Sequence, residues 1–579
     1  MTGGVQSSAT LAVGQTGIPA EPHPNWMHLG TVSPSLSDLG EVVEARRRHV
    51  YLTAANLPDS EKPGFFGKND LMPFQHYVHA LSHADRWRRE LYRNGYLGEP
   101  GVSYAAAAFA QKLYQPGRYT PDVQGWVQYL ADAAPVLAAH LPLQGSVARL
   151  PEQVREMHTL ISAASGWGKS ELLKVLVHHY VQHPTAAVVV LDPHGDLAEQ
   201  IARFPDLHQS GRLVYVQPGL EKGLTVGLNP LDGRGLDEEG AALVAAQIAT
   251  TLGELVADLT PNMQTAARNC ARILLEDGNA TLFDLVRLLA PRRRRSNENQ
   301  PEDPRRAYLV ARGRQHPDFT VAEFFKSDID AESFDSSKAA LRNRVLSLLS
   351  IPSWQAMTCG AATLHLETLM QQRKVIVVNL GPLGSEGGAA MGRLIVGLVA
   401  AIGRRREGTP PHLRVPCHVF VDEASTMVSP AMGRILAELR KFGIHLTLAQ
   451  QVGGVGFSEE GKKVLFTNTA CKLVGSNSRG DLKAAFGDAD PKGQPPLKER
   501  QFWVRWGQNV EPIRLQVRSD MAQGRHTISD GEWAAAKRRF AASAYYRPAK
   551  ALSLNAPPVD APGSPTRAAS DAGFTLPFE

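Results

Sequence analysis

Residues 157–170 read Met-His-Thr-Leu-Ile-Ser-Ala-Ala-Ser-Gly-Trp-Gly-Lys-Ser: a short apolar run, a turn of small residues, and a lysine-serine pair that opens an amphipathic helix at Glu171. Strand, glycine turn and helix N-terminus in that order form an anion cradle, because successive backbone N–H groups and the positive helix end converge on one point. Ser165, Gly166, Trp167, Gly168, Lys169 and Ser170 would wrap the phosphates of a nucleotide. Lys169 would reach the β- and γ-phosphates and the Ser170 hydroxyl would hold Mg2+. One position departs from the strict pattern: Ala163 stands five residues before Gly168, where glycine is usual. Alanine is tolerated there only while φ stays negative. Trp167 is unusual in a turn of small residues; it can stack on a base, meet a neighbouring subunit, or pack. Read by itself, the segment could also be a glycine-rich strand-to-helix turn with an exposed lysine.

A second stretch gives the first its meaning. The apolar run His418-Val419-Phe420-Val421 ends in Asp422-Glu423. A strand that ends in two acids downstream of a phosphate cradle supplies a carboxylate for Mg2+ (Asp422) and a general base for the attacking water (Glu423). Gln451 follows the next strand, where an amide can sense a γ-phosphate or orient water. Arg440, eleven residues upstream, would reach a phosphate in a neighbouring subunit's site or else satisfy a helix C-terminus.

The remaining pattern predicts an α/β chain with a mostly parallel sheet. Val188 to Leu191 and Val375 to Leu380 are apolar without alternation, as strands covered on both faces are. At 579 residues the chain exceeds a single core, and its boundaries read as follows. Residues 1–38 are a flexible lead-in and 39–150 a mainly helical domain. Residues 151–233 and 372–540 form the core, with a helical insertion at 234–371 and a disordered tail from 541. Phe502 to Trp506 and Ile513 to Val517 read as a hairpin at the sheet edge. The net charge of +5 permits a nucleic-acid partner without demanding one. Arg46 to Arg48, Arg292 to Arg295, Arg404 to Arg406 and Lys462-Lys463 are candidate phosphate contacts or solvated runs. His76, His79 and His83 share a helix face near Asp85, a conceivable metal site that reads better as a polar face. Cys270, Cys359, Cys417 and Cys471 lie far apart and read as buried thiols. The longest apolar run, Leu394 to Ile402, is shorter than the ~20 residues that cross a bilayer, and the N-terminus lacks a signal-peptide pattern. The expectation is a chain with no transmembrane segment, cytoplasmic or peripheral at the inner face of a membrane.

The segments HTLISAASGWGKSELL, VVVLDPHGDLAEQI, KVIVVNLGPLG, CHVFVDEASTM and ELRKFGIHLTLAQQ occur in this order, and over residues 155–520 the chain resembles the FtsK–HerA superfamily. The resemblance is closest to HerA-like helicases and type IV secretion coupling proteins. It implies a RecA-like P-loop NTPase core assembled as a homo-hexamer, using ATP and Mg2+ to pump duplex DNA without sequence specificity. By position it assigns Lys169 and Ser170 to the phosphate loop, Asp422 to magnesium and Glu423 to the base. Gln451 becomes the sensor and Arg440 an arginine finger. Partners implied are a nuclease, a relaxase or secretion-channel proteins, in conjugative transfer, mobile-element processing or phage defence. Two other readings keep the site and change its use: a secretion motor for protein cargo, and a nucleotide-dependent scaffold that recruits a nuclease. Departures from the family pattern are Ala163, Gln450 where threonine is common, and an N-terminal region with neither a transmembrane pair nor a strand-rich barrel.

Overall fold

The computed structural model describes residues 27–32, 146–150, 154, 156–254, 260–291, 303–427, 438–451, 466–487, 496–506, 513–521 and 525–549. The expectations for Arg46 to Arg48, for His76, His79, His83 and Asp85, for Arg292 to Arg295 and for Lys462-Lys463 lie outside the described residues. Two compact units emerge, Met1–Pro218 with His365–Ser543, and Gly219–Leu364 with Ala544–Glu579.

The first unit is built on an 11-stranded sheet in the order β2-β1-β12-β11-β10-β3-β9-β8-β4-β7-β5. The strands are β1 (Met27–Val32), β2 (Ser146–Leu150), β3 (Thr159–Ala163), β4 (Ala187–Asp192) and β5 (Leu213–Val216), then β7 (Val375–Asn379), β8 (Cys417–Val421), β9 (Ile444–Gln450), β10 (Cys471–Gly475), β11 (Gln501–Trp506) and β12 (Ile513–Val517). From β10 to β5 every pairing is parallel. Every residue of β3, β4, β7, β8 and β9 is buried, which is why β4 and β7 read as apolar runs without alternation. The helices that matter for the site are α1 (Lys169–Gln182), α2 (Asp196–Ala202), α3 (Pro205–Ser210), α4 (Gly384–Arg405) and α5 (Asp530–Ala541). The stretch Gly381–Arg405 is long and apolar enough to cross a membrane, but 78% of its most apolar window is buried within the protein. That burial is what a core helix shows.

The second unit is helical, with Glu238–Glu254, Pro261–Asp277 and Glu332–Leu349 as its longest helices. Its starts are chemically marked: the Thr281 and Asp303 side chains accept from backbone N–H groups in their first turns. A two-stranded ribbon joins β6 (Leu224–Val226) to β13 (Tyr546–Pro548).

Three expectations are corrected. The β11–β12 hairpin forms but is not the edge, because β1 pairs with β12 and β2 lies outside β1. These two strands fall in segments expected to be flexible or helical. Met27–Val32 hides its strand character behind Gly30 and a register shift between His28 and Gly30, which break the alternation. The tail expected from 541 is ordered as far as β13, whose backbone pairing with β6 needs no apolar pattern in the tail itself. Arg404 to Arg406 are also not free for a partner. Arg404 pairs with Glu438 at 3.4 Å and Arg405 with Glu367 at 2.8 Å, while buried Arg406 donates to the carbonyls of Val415 and Phe442.

The four cysteines are buried and free, with thiols pushed up to about 12 by burial.

Candidate active site

The site lies at the carboxyl ends of the central parallel strands, where open α/β sheets place their ligands. Strand order explains its shape. β3, which leads into Lys169, does not neighbour β8, which leads into Asp422; β9 runs between them. Two strand spacings, roughly 10 Å, separate the two stretches, a gap suited to the long lysine side chain. The Lys169 Nζ donates to Asp422 Oδ1 at 2.6 Å and to Glu423 Oε1 at 2.7 Å. Gln451, one residue past β9, donates from Nε2 to Glu423 Oε1 at 3.4 Å. The structure thus brings together Lys169, Asp422, Glu423 and Gln451.

Local backbone makes this possible. Gly166 (φ 81) and Gly168 (φ 90) occupy left-handed conformations that suit glycine. Gly168 caps α1, leaving the N–H groups of Lys169 and Ser170 at the helix mouth without intrahelical partners. Ala163 ends β3, fully buried and with an ordinary φ, so the turn starts one step later than the strict pattern assumes. Its partner across the ladder is Gly475, where an added Cβ would stand 3.1 Å from the Ala163 Cβ and 2.8 Å from Phe502. The room that glycine usually provides at 163 is provided here by the neighbouring strand. Trp167 packs, half-buried against the apolar cluster that Val474, Leu482, Ala485, Phe486, Leu497 and Trp503 form. Ser165 and Gly166 are exposed, open to a ligand.

Asp422 is 6% exposed. Burial pushes its carboxyl up, the Lys169 ammonium pulls it back, and burial wins, leaving it above the usual carboxylate range. For Lys169 burial opposes the charge but Asp422 and Glu423 outweigh it, so the ammonium is held above its ordinary value. Glu423 has φ 51, a left-handed backbone rare outside glycine, and strain of this kind persists where surrounding contacts impose it. Here the imposing contacts are the Glu423 N–H to Asp422 Oδ1 bond and the lysine between the two acids. The donor set suits Mg2+ with a phosphate: one buried carboxylate, one hydroxyl at the helix mouth, and a lysine neutralising the acids until a ligand arrives.

Arg440 stands apart. It is exposed and opens the short turn before β9, at the opposite end of that strand from Gln451. The seven residues of β9 put roughly 20 Å between them. Within one chain it does not join the site.

Two neighbours of the site were not legible as such. The Arg500 N–H donates to the Trp167 carbonyl at 3.2 Å, and its side chain lies against Gly168, with φ 61 at its own backbone. No sequence signal marks it. Asp192 ends β4 beside Asp422, and its apolar strand ending in an acid repeats the pattern of Val421-Asp422. Both of its oxygens, however, accept backbone N–H bonds from His194 and Ala198, which makes it a turn-former.

Residues 150–386 match the family model described as the central domain of helicase HerA. Over this span the chain resembles a P-loop ATPase of the HerA type. The match holds the phosphate loop and stops short of Asp422, Glu423 and Gln451. Among solved structures, the bacterial conjugative coupling protein TrwB in a truncated form is similar over 66% of this chain and 89% of its own, at 14% identity and a TM-score of 0.46. VirB4 of Thermoanaerobacter pseudethanolicus is similar over 62% and 89%, at 17% identity and a TM-score of 0.39. No curated protein matches the sequence.

Proposed function

We propose that the chain is an ATP-driven translocase of duplex DNA, working as a homo-hexameric ring in conjugative transfer, mobile-element processing or phage defence. The reading rests above all on one observation: Lys169 holds Asp422 and Glu423 together at 2.6 and 2.7 Å across an intervening strand. When ATP enters, Lys169 leaves the acids for the β- and γ-phosphates, and the freed carboxylates take up their separate roles. Ser170 and Asp422 would hold Mg2+, which neutralises charge on the phosphate oxygens when bound. Glu423 accepts the proton of the attacking water, and Gln451 orients that water against the γ-phosphate. Arg440, exposed and remote from its own site, supplies positive charge to the site of the next subunit.

The HerA helicase likeness favours DNA as cargo, gripped through its phosphates without base readout and handed to a nuclease, a relaxase or a secretion channel. Ala163 has no left-handed backbone, so its departure from the phosphate-loop pattern does not argue for a scaffold that binds nucleotide without turnover.

The test is ATP turnover with and without long duplex DNA, in the native chain and in Glu423→Gln. The expected result is DNA-stimulated turnover that falls ~10²–10⁴-fold in the variant. Turnover indifferent to DNA would assign the motor to protein cargo, and binding without turnover would make the chain a scaffold.

A further inference from the structure

A second cluster of ligating side chains sits in the first unit, well away from the lysine-carboxylate site. His178 is on α1, nine residues and roughly 13 Å of helix beyond Lys169. Asp206 is on α3, and His526 lies just before α5. Both imidazoles aim Nε2 at the same oxygen, Asp206 Oδ2, at 2.8 Å from His178 and 3.2 Å from His526. The two rings meet edge-on with centroids 4.6 Å apart, and the three ligand atoms lie within 4.8 Å of one another.

We propose that His178, Asp206 and His526 bind a Zn2+ ion, with water as the fourth ligand. The geometry is close to what the ion demands. Tetrahedral Zn2+ with bonds of about 2.0–2.1 Å sets its ligand atoms roughly 3.3 Å apart, and the two measured edges, 2.8 and 3.2 Å, fall about half an ångström or less below that. Two imidazoles and one carboxylate are borderline ligands that suit Zn2+ over Mg2+ or Ca2+, which take oxygen. Each ligand comes from a braced segment. His178 is 2% exposed inside a helix. Asp206 lies in the first turn of α3, behind Pro205. The segment bearing His526 is pinned by the Ile528 N–H to the Arg203 carbonyl and by the Arg203 guanidinium to the Ile528 carbonyl. Asp206 and His526 are about a third exposed, which leaves room for entry and for the water. The ion fastens the far end of the phosphate-loop helix to the segment that starts α5, a role distinct from any Mg2+ bound with nucleotide.

Full-length protein, stripped with a chelator and dialysed, is titrated with Zn2+ alone by calorimetry, with bound metal counted by mass spectrometry. The native chain is expected to take up one equivalent more than Asp206→Asn or His526→Ala, in each of which the affinity of that equivalent drops at least ~100-fold. At hundredfold excess over the dissociation constant, Zn2+ is expected to raise the native melting temperature by on the order of 5 °C and leave the variants unmoved. His526→Ala changes a loop position, so folding does not confound the comparison. Equal Zn2+ uptake and equal melting shifts in all three proteins would overturn the assignment.

Discussion

The two margins of the parallel sheet are made from the same strands and do opposite things. At the carboxyl margin, charge and strain accumulate: buried Asp422, Glu423 at φ 51, Lys169 bridging both, and Arg500 at φ 61 against the phosphate loop. At the amino margin the same strands carry a packed set of rings. His418 pairs across the ladder with His445, Tyr180 stacks on His418 at 4.0 Å, and the His158 Nδ1 accepts the Leu446 N–H. β9 belongs to both, with Gln451 just past one end and Arg440 just before the other. The difference shows what one chain closes on itself: the charged margin is joined through Lys169, while Arg440 stands exposed at the far end of β9.

The sharpest way to break this contrast is to remove the centre of the charged margin. Lys169→Ala should lose about two charge-assisted contacts to phosphate, near 4 kcal/mol together or ~10³-fold in nucleotide affinity, and turnover should vanish with it. Unchanged affinity, read by fluorescent-nucleotide titration, would remove the site assignment. Without nucleotide the same change leaves two neighbouring carboxylates without their cation, at a cost of roughly 3 kcal/mol or more in unfolding free energy.

Next in size is Arg440, at the amino margin. Arg440→Ala should keep nucleotide affinity within a fewfold and lower turnover ~10³-fold or more. Mixed with Lys169→Ala subunits, it should regain part of its activity, since a hybrid ring can join an intact site to an intact arginine. No rescue at any mixing ratio would return Arg440 to a role within its own chain.

The amino margin has its own test, in pH. Burial lowers His445 to about 4, helped by His158 and Arg440, so the folded ring is neutral. The unfolded histidine, near 6.5, binds its proton first as pH falls. Stability is therefore complete above about pH 6.5 and declines between there and pH 4, by on the order of 3 kcal/mol from this residue. Urea unfolding of the native chain and His445→Asn across that window should show the steeper acid loss in the native protein. Parallel curves would mean that another group carries the titration.

How much of this was readable in the sequence depended on whether a residue acts locally. Asp422, Glu423 and Gln451 announce themselves because each follows a strand, and Lys169 because it follows a glycine turn at a helix start, all on the carboxyl side of one parallel sheet. Among the parallel strands β4 and β7 were the most legible, burial on both faces leaving no polar alternation. What escaped depended on pairing at a distance. β1 and β2 form because β12 offers them an edge, and β13 because β6 does, with little in their own residues to say so. Arg500 reaches the phosphate loop through a backbone bond that any residue could make. Gly475 reads as an ordinary glycine until the register sets it opposite Ala163.

That last pair yields the smallest effect and the most specific one. If the phosphate loop is complete with Ala163 because Gly475 supplies the space, Ala163→Gly should leave nucleotide affinity within twofold. It should cost only ~0.5–1 kcal/mol, the backbone entropy of a glycine in a strand. Gly475→Ala should do more harm, since its Cβ would fall 2.8 Å from the buried Phe502 ring and 3.1 Å from Ala163 Cβ, and overpacking of this kind costs roughly 1–3 kcal/mol. The double variant restores one small residue to the pair but leaves the Phe502 clash, so relief of the Gly475→Ala penalty should be partial. A tenfold gain in affinity from Ala163→Gly would instead mean that the turn is strained at 163, and that the charged margin is held back by its own strand.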